Sequence, residues 1–180
     1  MIAEGSKVFY IHGLYGSKNS MKFKNIQERF KEAICLEWKF NEDIDIFLDN
    51  SFNTTKLEEG PITIVGSSIG GNFAWQLQQR LLEANIYCDL LLINPLVELM
   101  HKYEDNFPQH LVSFLKPMND FKQTKVIIGL NDEVINSHQS RAHFEIYDNN
   151  NPNQIELIIV EDDHRISNFN NLLQELAVEM

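Results

Sequence analysis

The chain has 180 residues, the length of about one domain, and we expect a single folded unit over residues 1–180. It carries 15 Lys and Arg against 26 Asp and Glu, a formal net charge of −11. Because this charge repels phosphate backbones and anionic lipids, nucleic-acid and membrane partners are disfavoured.

The sequence predicts a soluble, cytoplasmic protein, because no apolar stretch reaches the length of a membrane span and the first residues lack a secretion signal. Cys35 and Cys88 stand alone in apolar segments, which predicts buried thiols in a reducing compartment. The densest basic group is predicted to be a solvated helix face and consists of Lys18, Lys22 and Lys24.

Six short apolar runs predict β-strands, at residues 8–11, 34–38, 62–65, 88–93, 125–128 and 155–160. At least four are nearly continuous, which is typical of parallel strands buried on both faces. Apolar residues at helical spacing lie between several of them, as in the set Ile26, Phe30 and Ala33 and the set Phe73, Leu77 and Leu81. This alternation predicts an α/β fold, an open parallel sheet with helices on both faces.

The connection over residues 95–124 has no obvious strand. It is either an ordinary helical crossover or a small helical cap over a site. Its apolar side chains include Phe107, Phe114 and Leu115, the only apolar wall that the pattern offers to a ligand.

Ser68 is the candidate nucleophile, at the centre of the pattern Gly66-Ser67-Ser68-Ile69-Gly70 between a predicted strand and helix. This G-x-S-x-G arrangement is typical of a nucleophile elbow, where the glycines relieve steric crowding around a strained serine. The alternative is a glycine-rich turn that packs closely or binds a phosphate at the helix N-terminus.

Other predicted strands also end in polar residues, at the edge where parallel sheets bind ligands. The first ends in His12-Gly13-Leu14, which resembles a loop that supplies a backbone N–H to an oxyanion hole. The fifth is followed by Asp132 and Glu133, either of which could orient a histidine or cap the next turn. The remaining candidate acids are Glu98, Asp162 and Asp163.

His164 follows the sixth predicted strand and is the candidate general base, with His138 in a predicted helix as the alternative. A serine, then an acid, then a histidine is the chain order of α/β-hydrolase triads.

The combined motifs resemble the short bacterial α/β hydrolases of the YqiA esterase type. The resemblance rests on residues 10–13, 66–71, 93–95, 132–134, 163–165 and 168–169. It implies a reduced parallel sheet, for which we predict the strand order 2-1-3-4-5-6. It also implies that Ser68, Asp132 and His164 form a triad, and that Leu14 and Ile69 supply the oxyanion N–H groups.

The predicted function is therefore a serine carboxylesterase that cleaves small to medium acyl esters through an acyl-serine intermediate, with no metal or cofactor. A thioesterase or acyl transferase with the same triad is the alternative, and a non-catalytic binding module is a third. Lys18 is either a contact for an anionic substrate or a solvated side chain. No residue pattern indicates an oligomeric state.

Overall fold

In the computed structural model, residue 2 and residues 5–98 and 107–178 are described, and their strands form one six-stranded sheet. The strands are β1 (Lys7–Ile11), β2 (Ile34–Cys35), β3 (Ile62–Ser67), β4 (Asp89–Ile93), β5 (Thr124–Gly129) and β6 (Ile155–Val160). The spatial order is β2-β1-β3-β4-β5-β6, and every pair is parallel. The predicted fold class and strand order are confirmed.

Helices cover both faces of this sheet. They are α1 (Met21–Arg29), α2 (Ile44–Thr55), α3 (Ile69–Glu83), α4 (Gln109–Val112), α5 (Ser137–Asn150) and α6 (Phe169–Val178). Buried side chains of α2, α3 and α5 belong to the same core as Phe9 and Ile11 of β1, whereas those of α1 and α6 belong to the core that contains Val8 and Tyr10. Alternate residues of β1 thus belong to opposite cores, as a strand buried on both faces requires.

Two predicted segments extend too far. Strand β2 ends at Cys35 rather than at residue 38. The N–H of Leu36 makes the last hydrogen bond to β1, at the carbonyl of Tyr10, and the chain then leaves the sheet. Helix α1 ends at Arg29, so Phe30 and Ala33 lie beyond it. Of the two thiols predicted to be buried, Cys88 is buried, but Cys35 is only partly so because β2 is an edge strand.

The predicted cap segment 95–124 includes residues 99–106, which lie outside the described residues. Its later part is held against α3 by buried carboxamides: Asn72 Nδ2 donates to the carbonyl of Lys116 at 2.9 Å, and Gln78 Nε2 donates to that of Lys122 at 2.8 Å. Within residues 5–98 and 107–178, no helix has both the length and the apolar character that a membrane span requires.

Because of this packing, we expect buried and exposed leucines to differ strongly in their contribution to the free energy of unfolding. Leu77 on α3 is fully buried, whereas Leu57 is 76% exposed. We expect Leu77→Ala to lower the free energy of unfolding by about 3 kcal/mol, because it removes buried apolar contacts and leaves a cavity. Leu57→Ala is the matched control and should change it by less than about 0.5 kcal/mol. Urea unfolding followed by circular dichroism measures both, and equal effects would contradict the described packing.

Candidate active site

A cavity of about 560 Å³ lies at the carboxyl edge of the sheet. Ser68 and His164 both line it, together with residues 12–16 after β1 and Leu96 after β4. Ligands of open parallel sheets bind at this edge because the loops that follow the strands converge there. The structure therefore brings the predicted serine and histidine, 96 positions apart in the sequence, to one concave surface.

Ser68 joins β3 to α3 in a conformation that non-glycine residues rarely adopt, with φ 56° and ψ −128°. Three backbone hydrogen bonds hold it. Its N–H donates to the carbonyl of Ile93 at 3.0 Å, and its carbonyl accepts from the N–H groups of Gly71 at 2.9 Å and Leu96 at 3.0 Å. Such strain persists only where the surroundings impose it. The surroundings here are the end of β4 and the first turn of α3.

The glycines on either side of Ser68 permit close backbone contacts. A Cβ atom at Gly66 would lie 2.5 Å from the Cβ of Ala74, and one at Gly70 would lie 2.5 Å from the carbonyl oxygen of Ile11. Both distances are shorter than any real Cβ contact. The start of α3 can therefore lie directly against the ends of β3 and β1 only because these side chains are absent.

The structure also brings an acid to the predicted histidine. His164 Nδ1 donates to Asp132 Oδ2 at 2.7 Å, and Asp132 Oδ1 accepts the N–H groups of Val134 and Ile135, each at 2.8 Å. Asp132 is 6% exposed. Both of its oxygens thus have donors, and the pairing through Nδ1 leaves His164 Nε2 as the ring nitrogen that can exchange a proton.

The other candidate acids and the alternative histidine have different positions. Glu133 accepts the backbone N–H of His164 at 3.2 Å, and Asp162 and Asp163 accept N–H groups of their own loop. Glu98 does not line the cavity, and His138 is exposed on α5.

Among the described residues, Ser68 Oγ has no hydrogen-bond partner, so the Ser68 and His164 side chains share the cavity without a direct hydrogen bond.

Two backbone N–H groups at the cavity have no acceptor within the described part of the chain. They belong to Leu14, in the loop after β1, and to Ile69, the first residue of α3, and both residues line the cavity. The N–H groups of a first helical turn have no partner within their own helix. Gly13 lies in the same loop as Leu14, and its carbonyl accepts from His12 Nδ1 at 2.8 Å.

Trp38 supports this loop and was not singled out as a functional residue by sequence reasoning. Its indole Nε1 donates to the carbonyl of His12 at 2.9 Å, and the two rings stack with centroids 5.4 Å apart. Burial lowers the pKa of His12. The imidazole is therefore a neutral support for the loop.

Asn94 is the second residue whose position sequence reasoning did not predict. It is buried at the end of β4 with φ 43°; its Oδ1 accepts the N–H of Gly129 at 2.8 Å, and its Nδ2 donates to the carbonyls of Asp163 at 3.2 Å and His164 at 3.1 Å. One side chain therefore ties β4, β5 and the histidine loop together. The Asn-Pro pair directly after a predicted strand was the available signal.

The predicted solvated helix face of basic residues is wrong for two of its three members, because Lys18 precedes α1 and Lys22 is partly buried. Lys24 is exposed, and the exposed Lys18 lies 3.8 Å from Glu37 and does not line the cavity. Lys22 is partly buried and does line it, with Nζ 3.5 Å from the carbonyl oxygen of His164. Burial lowers the pKa of Lys22 to about 8. The ammonium is thus close to the histidine rather than in bulk water.

A charge-introducing substitution tests the role of Asn94. We expect Asn94→Asp to lower the free energy of unfolding by about 2 to 4 kcal/mol, because a carboxylate offers no donor to the carbonyls of Asp163 and His164. Asn85→Asp is the matched control, since Asn85 also has a positive φ, 61°, but is exposed. Urea unfolding of both variants measures the difference, and an unchanged stability of Asn94→Asp would contradict the described hydrogen bonds.

No protein-family model matches the chain, and no curated protein matches it by sequence. Solved structures do match. Est1E from Butyrivibrio proteoclasticus is 16% identical, with a TM-score of 0.67 over 95% of this chain and 84% of that one. Alpha/beta hydrolase domain-containing protein 10 from mouse is 14% identical, with a TM-score of 0.66 over 93% and 86%.

A pyrethroid hydrolase from Sphingobium faniae JZ-2 is 10% identical, with a TM-score of 0.62 over 97% of this chain and 98% of that one. At these identities the likeness concerns the arrangement of strands and helices. The six-stranded parallel sheet with its flanking helices is the fold of the α/β hydrolases.

Proposed function

We propose that the chain is a serine esterase that hydrolyses small to medium acyl esters through an acyl-serine intermediate. The observation that carries the proposal is the buried Asp132–His164 pair, 2.7 Å between Oδ2 and Nδ1, beside a strained Ser68 in the same cavity. The resemblance of the sequence motifs to YqiA-type esterases supports it, as does the fold shared with hydrolases and lipolytic enzymes.

The proposed reaction begins with proton transfer. His164, held by Asp132 with its proton on Nδ1, accepts the Ser68 proton at Nε2 while the serine oxygen attacks the acyl carbonyl carbon. The tetrahedral intermediate collapses when His164 returns the proton to the leaving alcohol, and the acyl group remains on Ser68. A water molecule, deprotonated by the same nitrogen, then attacks the acyl-serine; the bond to Ser68 Oγ breaks as His164 returns that proton to it, and the acid is released. The carboxylate of Asp132 stabilises the imidazolium at both stages.

The negative oxygen that forms in each step needs hydrogen-bond donors. The N–H groups of Leu14 and Ile69 are proposed for this role, because both residues line the cavity and neither group has an acceptor among the described residues. Each such donor is worth about 3 kcal/mol of transition-state stabilisation. The support of His12 by Trp38 would keep the first of these donors in place.

The cavity supports acyl groups of limited size. Its apolar lining includes Leu96, Phe107, Val134 and Ile135, and its volume of about 560 Å³ lies within the range of small-molecule sites. A short or medium alkyl chain would bury its surface against these side chains. The lining also includes two charged side chains, Lys22 and Arg165.

Replacement of the serine tests the proposal directly. We expect Ser68→Ala to reduce kcat on 4-nitrophenyl acetate by about a thousandfold or more, because no acyl-serine can form. A fluorophosphonate probe should label the wild-type protein on the peptide that contains residue 68 and should not label Ser68→Ala. Ser113→Ala, at the exposed residue that ends α4 and outside the cavity lining, is the control and should retain both properties. A folded wild-type protein that neither hydrolyses the ester nor reacts with the probe would favour a non-catalytic binding module.

The same assay can distinguish the roles of the neighbouring acids Asp132 and Glu133. We expect Asp132→Asn to reduce kcat by about 10³ to 10⁴, because an amide no longer holds His164 in the required tautomer. Its Oδ1 can still accept the N–H groups of Val134 and Ile135, so the turn is retained. Glu133→Gln keeps an acceptor for the His164 N–H and should lose less than tenfold. The reverse order of effects would assign the orienting role to Glu133.

A further inference from the structure

The lining of the cavity contrasts in charge with the rest of the protein. Although the chain has a net charge of −11, the only described lining residues with a formal charge at neutral pH are two cations, Lys22 and Arg165. No Asp or Glu among the described residues lines the cavity. A binding surface of this kind favours a ligand that carries negative charge.

Lys22 lies in a position that is unfavourable for a lysine. It is the second residue of α1, where the helix dipole is positive and where a cation is destabilised. It is also partly buried, and burial lowers its pKa to about 8. These two effects oppose an ammonium at this position, and the negative charges of Asp163, Asp132 and Asp162 offset them in part.

Among the described residues, the Lys22 ammonium has only a weak hydrogen-bond partner. The one hydrogen bond of Lys22 Nζ is to the carbonyl oxygen of His164 at 3.5 Å, and Lys22 forms no ion pair in the described part of the chain. The carboxylates of Asp163, Asp132 and Asp162 act on the ammonium only at longer range. Each accepts another hydrogen bond: Asp132 from His164, Asp162 from Ser167 and Asp163 from the N–H of Arg165. The ammonium therefore retains donors that can bind a ligand.

Arg165 adds a second cation at the same place. It follows His164 directly, lines the cavity, and is exposed. Its guanidinium forms no ion pair with any described residue. A guanidinium and an ammonium on one wall are the groups that proteins use to bind carboxylates and phosphates.

We propose that Lys22, with Arg165 beside it, binds a carboxylate or phosphate group of the ester substrate, so that the enzyme prefers anionic esters to neutral esters of the same size. This inference rests on the proposed esterase function and specifies its substrate class. The anionic group could belong to the acyl part or to the alcohol part of the ester. Both share the same chemistry at Lys22 and are separated by the choice of probe.

The test uses pairs of esters that differ only in a carboxylate and its neutral carboxamide. For the acyl part, the pair is the mono-4-nitrophenyl ester of adipate and that of adipamate. For the alcohol part, it is 3-carboxyphenyl acetate and 3-carbamoylphenyl acetate. The readout is the ratio of kcat/KM within each pair, after subtraction of the spontaneous rate. The ratio cancels effects on the reacting groups, because both members of a pair use them.

In the wild-type protein we expect a ratio of about ten or more in favour of the carboxylate in one pair, and that pair locates the anionic group. Lys22→Met should reduce the ratio by about fivefold or more, since methionine keeps an apolar stem and removes the charge. Lys24→Met is the matched control, because Lys24 is exposed on the same helix and its loss changes the net charge equally. It should leave both ratios as in the wild type.

The pH dependence separates binding by Lys22 from a structural role. With a pKa of about 8, Lys22 is about nine-tenths protonated at pH 7 and one-tenth at pH 9, so the preference should fall over this range. The other charged groups that face Lys22 are Asp132, Asp162, Asp163 and Arg165. Burial raises the pKa of Tyr10 to about 12, so this lining residue stays neutral. Lys22→Arg should keep the preference at pH 9.

The outcomes distinguish the two proposals. A wild-type protein labelled at Ser68 by the fluorophosphonate, with ratios near one in both pairs, would overturn the inference and leave the esterase proposal standing. A ratio that is unchanged in Lys22→Met, with both rates lowered equally, would also overturn it and assign Lys22 to the support of the His164 loop. Absence of both labelling and hydrolysis would overturn the esterase proposal, and with it this inference.

Discussion

The arrangement at the sheet edge depends on one steric constraint, the direct contact between the start of α3 and the ends of β1 and β3. Gly66 and Gly70 permit it, because a Cβ at either position would lie about 2.5 Å from a neighbouring atom. The chain can then reverse from strand to helix within a single residue, Ser68, at a cost of about 1 to 3 kcal/mol in backbone strain. Hydrogen bonds to Ile93 and Leu96 offset this strain, so β4 is as necessary to the elbow as β3.

The histidine side of the cavity depends on a polar contact rather than a steric one. Asn94 is buried where β4 ends and contacts both β5, at Gly129, and the loop that carries His164. A buried carboxamide with all three contacts satisfied restricts the loop more than apolar packing would, because each hydrogen bond requires a direction as well as a distance. Strand β4 thus positions Ser68 through the backbone carbonyl of Ile93, and the side chain of Asn94, the residue after the strand, positions the loop of His164.

Much of this architecture was predictable, because it depends on local patterns. A strand buried on both faces needs a nearly continuous apolar run, and the positions of β3, β5 and β6 followed from such runs. The elbow followed from the glycines beside Ser68. Edge strand β2 was predicted too long, because its hydrogen bonds depend on where its single neighbour β1 ends. Local patterns left the choice between Asp132 and Glu133 open, since both follow β5, and the family resemblance favoured Asp132. In the structure Asp132 accepts from His164 Nδ1, whereas Glu133 accepts the backbone N–H of His164.

Lys22 shows what local patterns omit. Helical periodicity identifies Phe23 and Ile26 as the buried face of α1, but it contains no information on which loop lies over the first turn. That loop comes from 142 residues further along the chain. The net charge of the chain also carries no information on a single site. Salt screens the field of the whole protein within about 10 Å, whereas inside a cavity the nearest charges dominate. The acidic surface would therefore slow the approach of an anion without deciding whether the cavity holds it.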